Sequence, residues 1–351
     1  MVKKNKKKIL IVSRLKNEYT RQTQFKKFLK KNYDLLEVEF VGNFFLKNLY
    51  LLKFFFVKFD YIFIFWPTWS SIFTLYLFKI FKKKKIIYDA FTIPSEDYLD
   101  NNLKDSNKLK YFFYYKIEKA IFKISDYIIT DSETHKNKIA KLYFKKKKDI
   151  LSFEPSEKNI NNIQYKTNED YLEILHGGAN RNAHGVENML KLIAFAPINL
   201  KKKIRFKLLL PDYGDKLKKY SNNLGLKKIV IFKPRLNFKK YLREVLKSDV
   251  ALGIFGISEK SKHVISNFMV TSCNYGKIII TNDNKTSRFY LNKNSGVFFL
   301  KGLKQKKFNL ILKKILLKKN NYRYQTKKIF LSYFNEKIVY KKFVNFFFKI
   351  N

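Results

Sequence analysis

Cysteine is almost missing from this chain. Cys273 is the one thiol in 351 residues, so no disulfide framework exists and a reducing compartment is the simple reading. Histidine is nearly as scarce. The four imidazoles, at 135, 176, 184 and 263, are scattered along the sequence, and with a lone cysteine they assemble no metal cluster, so neither a metal nor any other cofactor is expected. Acidic residues are few: Asp+Glu 28 against Lys+Arg 74 leave a formal net charge of +46. An AT-rich genome accounts for much of the lysine, but the field it creates attracts polyanions, whether nucleic acid, an anionic membrane surface or a small anionic substrate. Long apolar runs are lacking too. Ile9 to Val12 is too short for a signal-peptide core before Arg14 arrives. The uncharged stretch Tyr61 to Phe78 is interrupted by Pro67, Thr68, Ser70 and Ser71, which predicts a strand, a loop and a helix over about 69–81 in place of a membrane span.

Hydrophobic residues make up 46% of the chain, enough for two cores of ordinary size. Short β-rich runs recur between longer helical stretches: Ile9 to Ser13, Leu36 to Val41, Tyr61 to Phe65, Ile86 to Asp89 and Tyr127 to Thr130. After a polar, aperiodic linker over 152–170, a second series follows. Its runs are Leu172 to Leu175, Phe206 to Leu210, Lys228 to Phe232, Val250 to Phe255, Ile278 to Thr281 and Val297 to Leu300. Strands alternating with helices predict α/β architecture with parallel sheets. The expected domains are 1–160 and 171–325, each Rossmann-like, with ligands beyond the carboxyl ends of the strands in a cleft. Upstream, "NFFLKNLYLLKFFFVKF" sets Lys47, Lys53 and Lys58 among Phe and Leu. Such a helix either packs on the core with lysines outward or lies in a membrane interface.

The most informative segment is 249–283, "DVALGIFGISEKSKHVISNFMVTSCNYGKIIITND". It reads as a buried strand from Val250 to Phe255, a polar loop, an amphipathic helix from about Val264 to Tyr275, a stop at Gly276 and a second strand. Gly253 and Gly256 let backbone approach something beyond the strand. Ser258, Lys260, Ser261, Lys262 and His263 gather hydroxyls and cations before a helix start, a place that suits a phosphate.

These residues resemble the donor-side signature of family 4 glycosyltransferases of the GT-B fold. Leu252, Gly253, Ile254, Phe255, Gly256, Ser258, Lys260, Val264, Ile265, Asn267, Gly276, Lys277, Ile280 and Thr281 match that pattern. The resemblance implies two Rossmann-like domains whose sheets face across a cleft, and a carboxy-terminal helix over 326–351 that returns to the first domain. It also implies a nucleotide-sugar donor held by the second domain. Three positions depart from the pattern. Thr271 stands where the family has a carboxylate for the donor ribose, His263 where an earlier carboxylate stands, and Phe268 where a lysine commonly follows Asn267.

Other segments fit the same resemblance. "LEILHGGANRNAHGVENMLKLI" resembles the family's strand, glycine loop and helix, in which Gly177 and Gly178 permit close approach and Arg181 supplies a cation to the diphosphate, with His184 where a lysine is often found. A plain tight turn with Arg181 solvated reads equally well. Asp89, at the end of "IIYDA", can orient or deprotonate an acceptor hydroxyl, or cap the following turn; both roles stay open. Ser132 and Glu133 read as a helix start. "IFKPRLNFKKYLREVLKSDVAL" resembles the strand and helix walling the nucleotide base, with Arg235 at the strand exit.

The resemblance thus implies a retaining, metal-independent transferase that moves a sugar from a nucleotide-sugar to a hydroxyl acceptor, such as a surface glycan or lipid-linked saccharide, in the cytoplasm or peripherally on the inner face of the cytoplasmic membrane. Two rivals accompany it. The three departures suit a catalytically inactive partner subunit or scaffold, and the charge with interleaved Phe and Tyr suits a nucleic-acid binder, although no recognised nucleic-acid motif occurs.

Overall fold

The computed structural model describes residues 6–14, 20–40, 44–102, 106–161, 170–179, 181–211, 214–292 and 295–350. The chain divides into two compact units. One comprises Met1–Phe153 with Lys342–Asn351, the other Glu154–Lys341.

The first unit is a six-stranded parallel sheet in the order β2-β1-β3-β4-β5-β6. Its strands are β1 (Lys8–Arg14), β2 (Asp34–Phe40), β3 (Tyr61–Ile64), β4 (Lys85–Asp89), β5 (Tyr127–Thr130) and β6 (Ile150–Ser152). The inner strands are apolar on both faces because helices cover both, the usual condition of a parallel sheet. On β1, Leu10 and Val12 enter one core with Ile62, Ile64 and Ile86, while Ile9 and Ile11 are buried on the opposite side. A ring cluster forms around Phe25, which lies 4.0 Å from Phe153, 5.4 Å from Phe63 and 5.7 Å from Phe343. The uncharged stretch from Tyr61 resolves into β3, a 3-10 turn at Thr68–Ser71 and the helix Ile72–Phe81. No helix of the described residues is long and apolar enough to cross a membrane.

The second unit repeats the plan with strand order β12-β11-β10-β7-β8-β9. Here β7 is Leu172–Gly177, β8 Ile204–Leu209, β9 Val230–Lys233, β10 Val250–Leu252, β11 Ile278–Asn282 and β12 Val297–Leu300. Leu172, Ile174, Val250, Leu252, Ile278 and Ile280 face one core; Leu175, Ala251 and Ile279 face the other. The strand order reverses direction between β7 and β10, and in open sheets a ligand crevice lies outside the carboxyl ends at such a switch. Both glycine-bearing segments singled out in the sequence leave from that place.

Several expectations need correction. The strand from Val250 ends at Leu252, not Phe255: the Gly253 amide still bonds the Ile280 carbonyl, but the Ile254 amide turns to the Thr281 hydroxyl and the Phe255 amide to the His184 carbonyl. The helix expected from Val264 begins at Asn267, since Ser266 adopts the extended conformation and its hydroxyl accepts from the Met269 amide. Strand β6 lies just before and within the start of the expected linker, whose residues 162–169 fall outside those described, as does Val41. The carboxy-terminal segment is not one helix over 326–351. It comprises Gln325–Ile329, a π-turn at Phe330–Phe334 and the helix Glu336–Ile350, whose residues from Lys342 onward belong to the first unit.

Candidate active site

In the second unit, the loops leaving β7 and β10 are stitched together. The Phe255 amide donates to the His184 carbonyl at 2.9 Å, and Asn188 Nδ2 donates to the Phe255 carbonyl at 3.0 Å. Their crossing leaves no room for side chains. A Cβ on Gly256 would lie 2.3 Å from the Ala183 carbonyl oxygen, and one on Gly185, where φ is +68°, 2.4 Å from the Gly256 nitrogen. Around Gly177 and Gly178 the walls are the Phe268 and Tyr241 rings, at 3.0 and 3.3 Å from a Cβ on Gly177, and His184, at 2.7 Å from one on Gly178.

Two histidines define the chemistry of this place. His176 Nδ1 lies 2.8 Å from the Leu252 carbonyl, so that nitrogen carries the proton and Nε2 holds a lone pair. Neither Nε2 of His176 nor Nδ1 of His184 has a hydrogen-bond partner among the described residues, and the two rings meet edge to face at 5.6 Å. Burial holds the His176 pKa down to about 4. His184 is pushed down to about 3, first by burial, then by His176 and by the charges of Arg181 and Lys260. The charges of Arg181 and Lys260 act on His184, and buried polar nitrogens left open are what a ligand would satisfy. The sequence signalled Arg181, His184 and Lys260; His176, inside a strand pattern, carried no signal of its own.

The remaining expected donor residues take varied roles. Ser258 accepts from the Ser261 amide at 3.3 Å, and the Ser261 hydroxyl lies 2.9 Å from the Gly256 carbonyl, so both shape the loop. The Lys260–Lys262 turn is 3-10, and the His263 amide closes it on the Lys260 carbonyl, with the ring buried. Val264 lies ahead of the helix start. Asn267 opens the helix, and its carbonyl lies 3.1 Å from the Thr271 hydroxyl. Arg235 leaves β9 exposed to solvent, and β9 is an edge strand away from β7 and β10. Lys277, matched in the signature, is a buried structural cation whose Nζ bonds the Leu246 and Ser248 carbonyls at 2.8 and 2.7 Å; desolvation takes its pKa to about 7.

At the position where the sequence shows Thr271 in place of a carboxylate, a carboxylate is nonetheless present. Glu157, from the segment read as linker, takes hydrogen bonds from the Thr271 hydroxyl and, at 3.2 Å, from Asn274 Nδ2. Its backbone is fixed by bonds to the Phe334 carbonyl and the Glu336 amide. Burial raises its pKa, opposed by Thr271, Asn274 and Lys327. Tyr241, which walls Gly177, hydrogen-bonds Thr271 as well.

In the first unit, Asp89 is 2% exposed and bound by Arg21, whose Nη2 and Nε lie 2.9 and 3.1 Å from Oδ1. The same guanidinium donates to the carbonyls of Phe153 and Thr130 at 2.5 and 2.9 Å, and sits 5.0 to 5.6 Å from the rings of Phe25, Phe91 and Phe153. Burial raises the Asp89 pKa and Arg21 lowers it. The structure makes this carboxylate one half of a buried ion pair. Ser132 caps the helix Glu133–Leu142 as expected, accepting from the His135 amide. A cavity of about 370 Å³ opens at the exit of β3, lined among others by Lys47, Trp66, Asp97, Tyr98, Asn101 and Tyr114. The stacked Tyr98 and Tyr114 rings, 5.0 Å apart, beside an acid and an amide make it suited to a polyhydroxylated ligand.

Comparison with known proteins agrees with this architecture. No family model matches the sequence. An uncharacterized glycosyltransferase of Methanocaldococcus jannaschii is 31% identical over 184 residues, which cover 48% of this chain and 44% of that protein; the match spans less than half the relative's length. Among solved structures, the lipopolysaccharide outer core galactosyltransferase WaaB superposes with a TM-score of 0.69 at 12% identity, covering 98% of this chain and 100% of that one. Sucrose-phosphate synthase of Thermosynechococcus elongatus gives 0.75 at 10% identity over 98% and 99%. HepE of Anabaena, solved with UDP-glucose, gives 0.70 at 10% identity over 96% and 98%. The fold is that of the GT-B glycosyltransferases, and the resemblance seen in the signature of the second unit is to proteins of that kind.

Proposed function

We propose that this protein is a glycosyltransferase that moves a sugar from a nucleotide-sugar to a hydroxyl acceptor with retention of configuration. The observation that carries the reading is the pair of open imidazole nitrogens, His176 Nε2 and His184 Nδ1, set beside Arg181 and Lys260 where the β7 and β10 loops cross. The two cations oppose the charge that develops on a diphosphate as the sugar leaves, and the imidazoles accept from donor hydroxyls. No step requires a metal, and transfer should persist in EDTA. Glu157 presents the carboxylate for the ribose that residue 271 lacks. The cavity at the β3 exit takes the acceptor, a surface glycan or lipid-linked saccharide. HepE, a structural neighbour of the same fold, was solved with UDP-glucose, which supports a UDP-sugar as the first donor to try.

Incubation with a panel of UDP- and GDP-sugars, read by thermal shift and by sugar release, tests this. A shift with at least one donor, and hydrolysis or transfer, is expected; no response to any would refute it. A second reading, a catalytically inactive partner subunit, is favoured by Thr271, His263 and Phe268 in place of charged residues. Donor binding without turnover in the presence of saccharide acceptors would select it.

A further inference from the structure

On the transferase reading, on which this rests, we propose that Asn274 and Lys327 are positioning residues that aim the Glu157 carboxylate at the donor ribose, so that the second unit selects a ribonucleotide over its 2′-deoxy counterpart. The first observation is where that carboxylate stands. Glu157 takes the Thr271 hydroxyl on Oε1 and Asn274 Nδ2 on Oε2. Tyr241 hydrogen-bonds the same Thr271, and its ring lies 3.3 Å from a Cβ on Gly177, at the carboxyl end of β7. Two hydrogen bonds thus link the carboxylate to the ring that walls the glycine loop. Each oxygen receives one bond from the described residues, whereas a carboxylate offers about four lone-pair sites, so capacity for a hydroxyl remains. Glu157 is half-buried, not closed off. A carboxylate at the rim of a nucleotide-binding sheet takes a ribose hydroxyl. With threonine at 271 the helix Asn267–Asn274 supplies none of its own at that position, and the neighbouring segment does.

The second observation is how the carboxylate is held. Residues 154–160 lie outside the helices and the sheets, so no regular element fixes the Glu157 side chain. Asn274, at the end of the helix and fully buried, does so. Its Nδ2 donates to the Glu157 carboxylate at 3.2 Å and to the Lys158 carbonyl at 2.9 Å, while its Oδ1 accepts from the Ile160 amide at 3.3 Å and from Lys327 Nζ at 2.7 Å. A carboxamide has two donors and two acceptor sites, and Asn274 uses all four. Lys327 Nζ also bonds the Asn274 and Ile160 carbonyls, at 2.7 and 2.9 Å, which clamps the amide and the segment together. Buried and with its bonding complete, Asn274 acts on a nucleotide only through Glu157. All of these groups belong to the second unit. A tie that served the fold alone would, when cut, weaken every nucleotide alike; a positioned carboxylate is felt by the hydroxyl it bonds.

Calorimetric titration of the full chain with UDP and GDP, each against its 2′-deoxy form, tests the proposal. The ribo form of at least one should bind about tenfold tighter or more, as a hydrogen bond to a charged acceptor provides. In Glu157→Gln, Asn274→Ala and Lys327→Met the ribo form should lose most of that factor, whereas the 2′-deoxy form should bind as it does to the native chain. Lys327→Met alters a half-buried site and carries the test if Asn274→Ala does not fold by circular dichroism. Equal weakening of both forms would mark a structural tie and overturn the proposal, as would a ratio left unchanged in Asn274→Ala or Lys327→Met. A native chain that binds a ribonucleotide and its 2′-deoxy form alike overturns it too, and leaves the donor reading standing. Binding of neither UDP nor GDP refutes the transferase reading and this inference with it.

Discussion

The buried ion pair of the first unit and the histidine pair of the second are satisfied differently. Both units end six parallel strands in carboxyl-end loops that carry titratable groups. In the first, Asp89 is saturated by Arg21, and Asp131 lies 2.9 Å from His135 Nδ1. In the second, His176 is buried and His184 half-buried, both neutral, each with a ring nitrogen that no described residue satisfies. The Arg21–Asp89 pair of the first unit is completed by protein and serves stability, although Tyr88 Oη and Asp131 Oδ2 in that unit have no hydrogen-bond partner among the described residues. The two imidazole nitrogens of the second keep capacity in reserve, which costs stability and is the mark of a place where a ligand completes the bonding.

The contrast can be broken from the first side most forcefully. Arg21→Met leaves the Asp89 carboxylate buried without a cation and should cost about 3–5 kcal/mol by chemical denaturation. In that variant the folded carboxyl binds its proton more tightly than the unfolded one, so stability should fall as pH rises through the carboxylate range; a variant whose stability is flat with pH would contradict the pairing. In the second unit, Gly256→Ala drives a Cβ against the Ala183 carbonyl. It should cost about 2–4 kcal/mol, and the nucleotide-sugar thermal shift should disappear with it.

Thr271→Glu sharpens the comparison by making the second unit carry unpaired charge. The new carboxylate would face Glu157, already raised by burial, at a cost of about 1–3 kcal/mol that acidification partly returns. Gain of donor binding in this variant would show that Glu157 does not occupy that role. His184→Phe has the smallest effect. Donor affinity should drop about tenfold, and the acid side of the stability curve should flatten. In the native chain the two imidazoles have folded pKa values near 4 and 3, below 6.5. The unfolded state therefore binds more protons as pH falls below about 6.5, and stability is lost on the way to pH 4 at up to about 1.4 kcal/mol per pH unit for each histidine.

Much of this was legible in sequence because it is local. The apolar runs gave eleven of the twelve strands, and Gly276 stops its helix in the left-handed conformation, at φ 60°, that glycine favours. The glycines at 177, 178 and 256 pointed at the loop crossing. What escaped was long-range or fine. Arg21 meets Asp89 across 68 residues and Glu157 meets Thr271 across 114, and no periodicity announces such a pairing. The helix start moved from Val264 to Asn267 because a single Ser266 cap outweighs the apolar pattern before it. Strand β6, only three residues long, is too short to separate from a loop by composition.

Hydrogen exchange read by mass spectrometry, with and without saturating UDP-glucose or whichever donor shifts the melting curve, puts the central contrast to its most direct test. If the open imidazoles and crossing glycine loops hold the donor, protection should appear in peptides covering 177–185 and 253–267 and be absent from those covering 85–100. Protection confined to the first unit, or none anywhere despite binding, would contradict it.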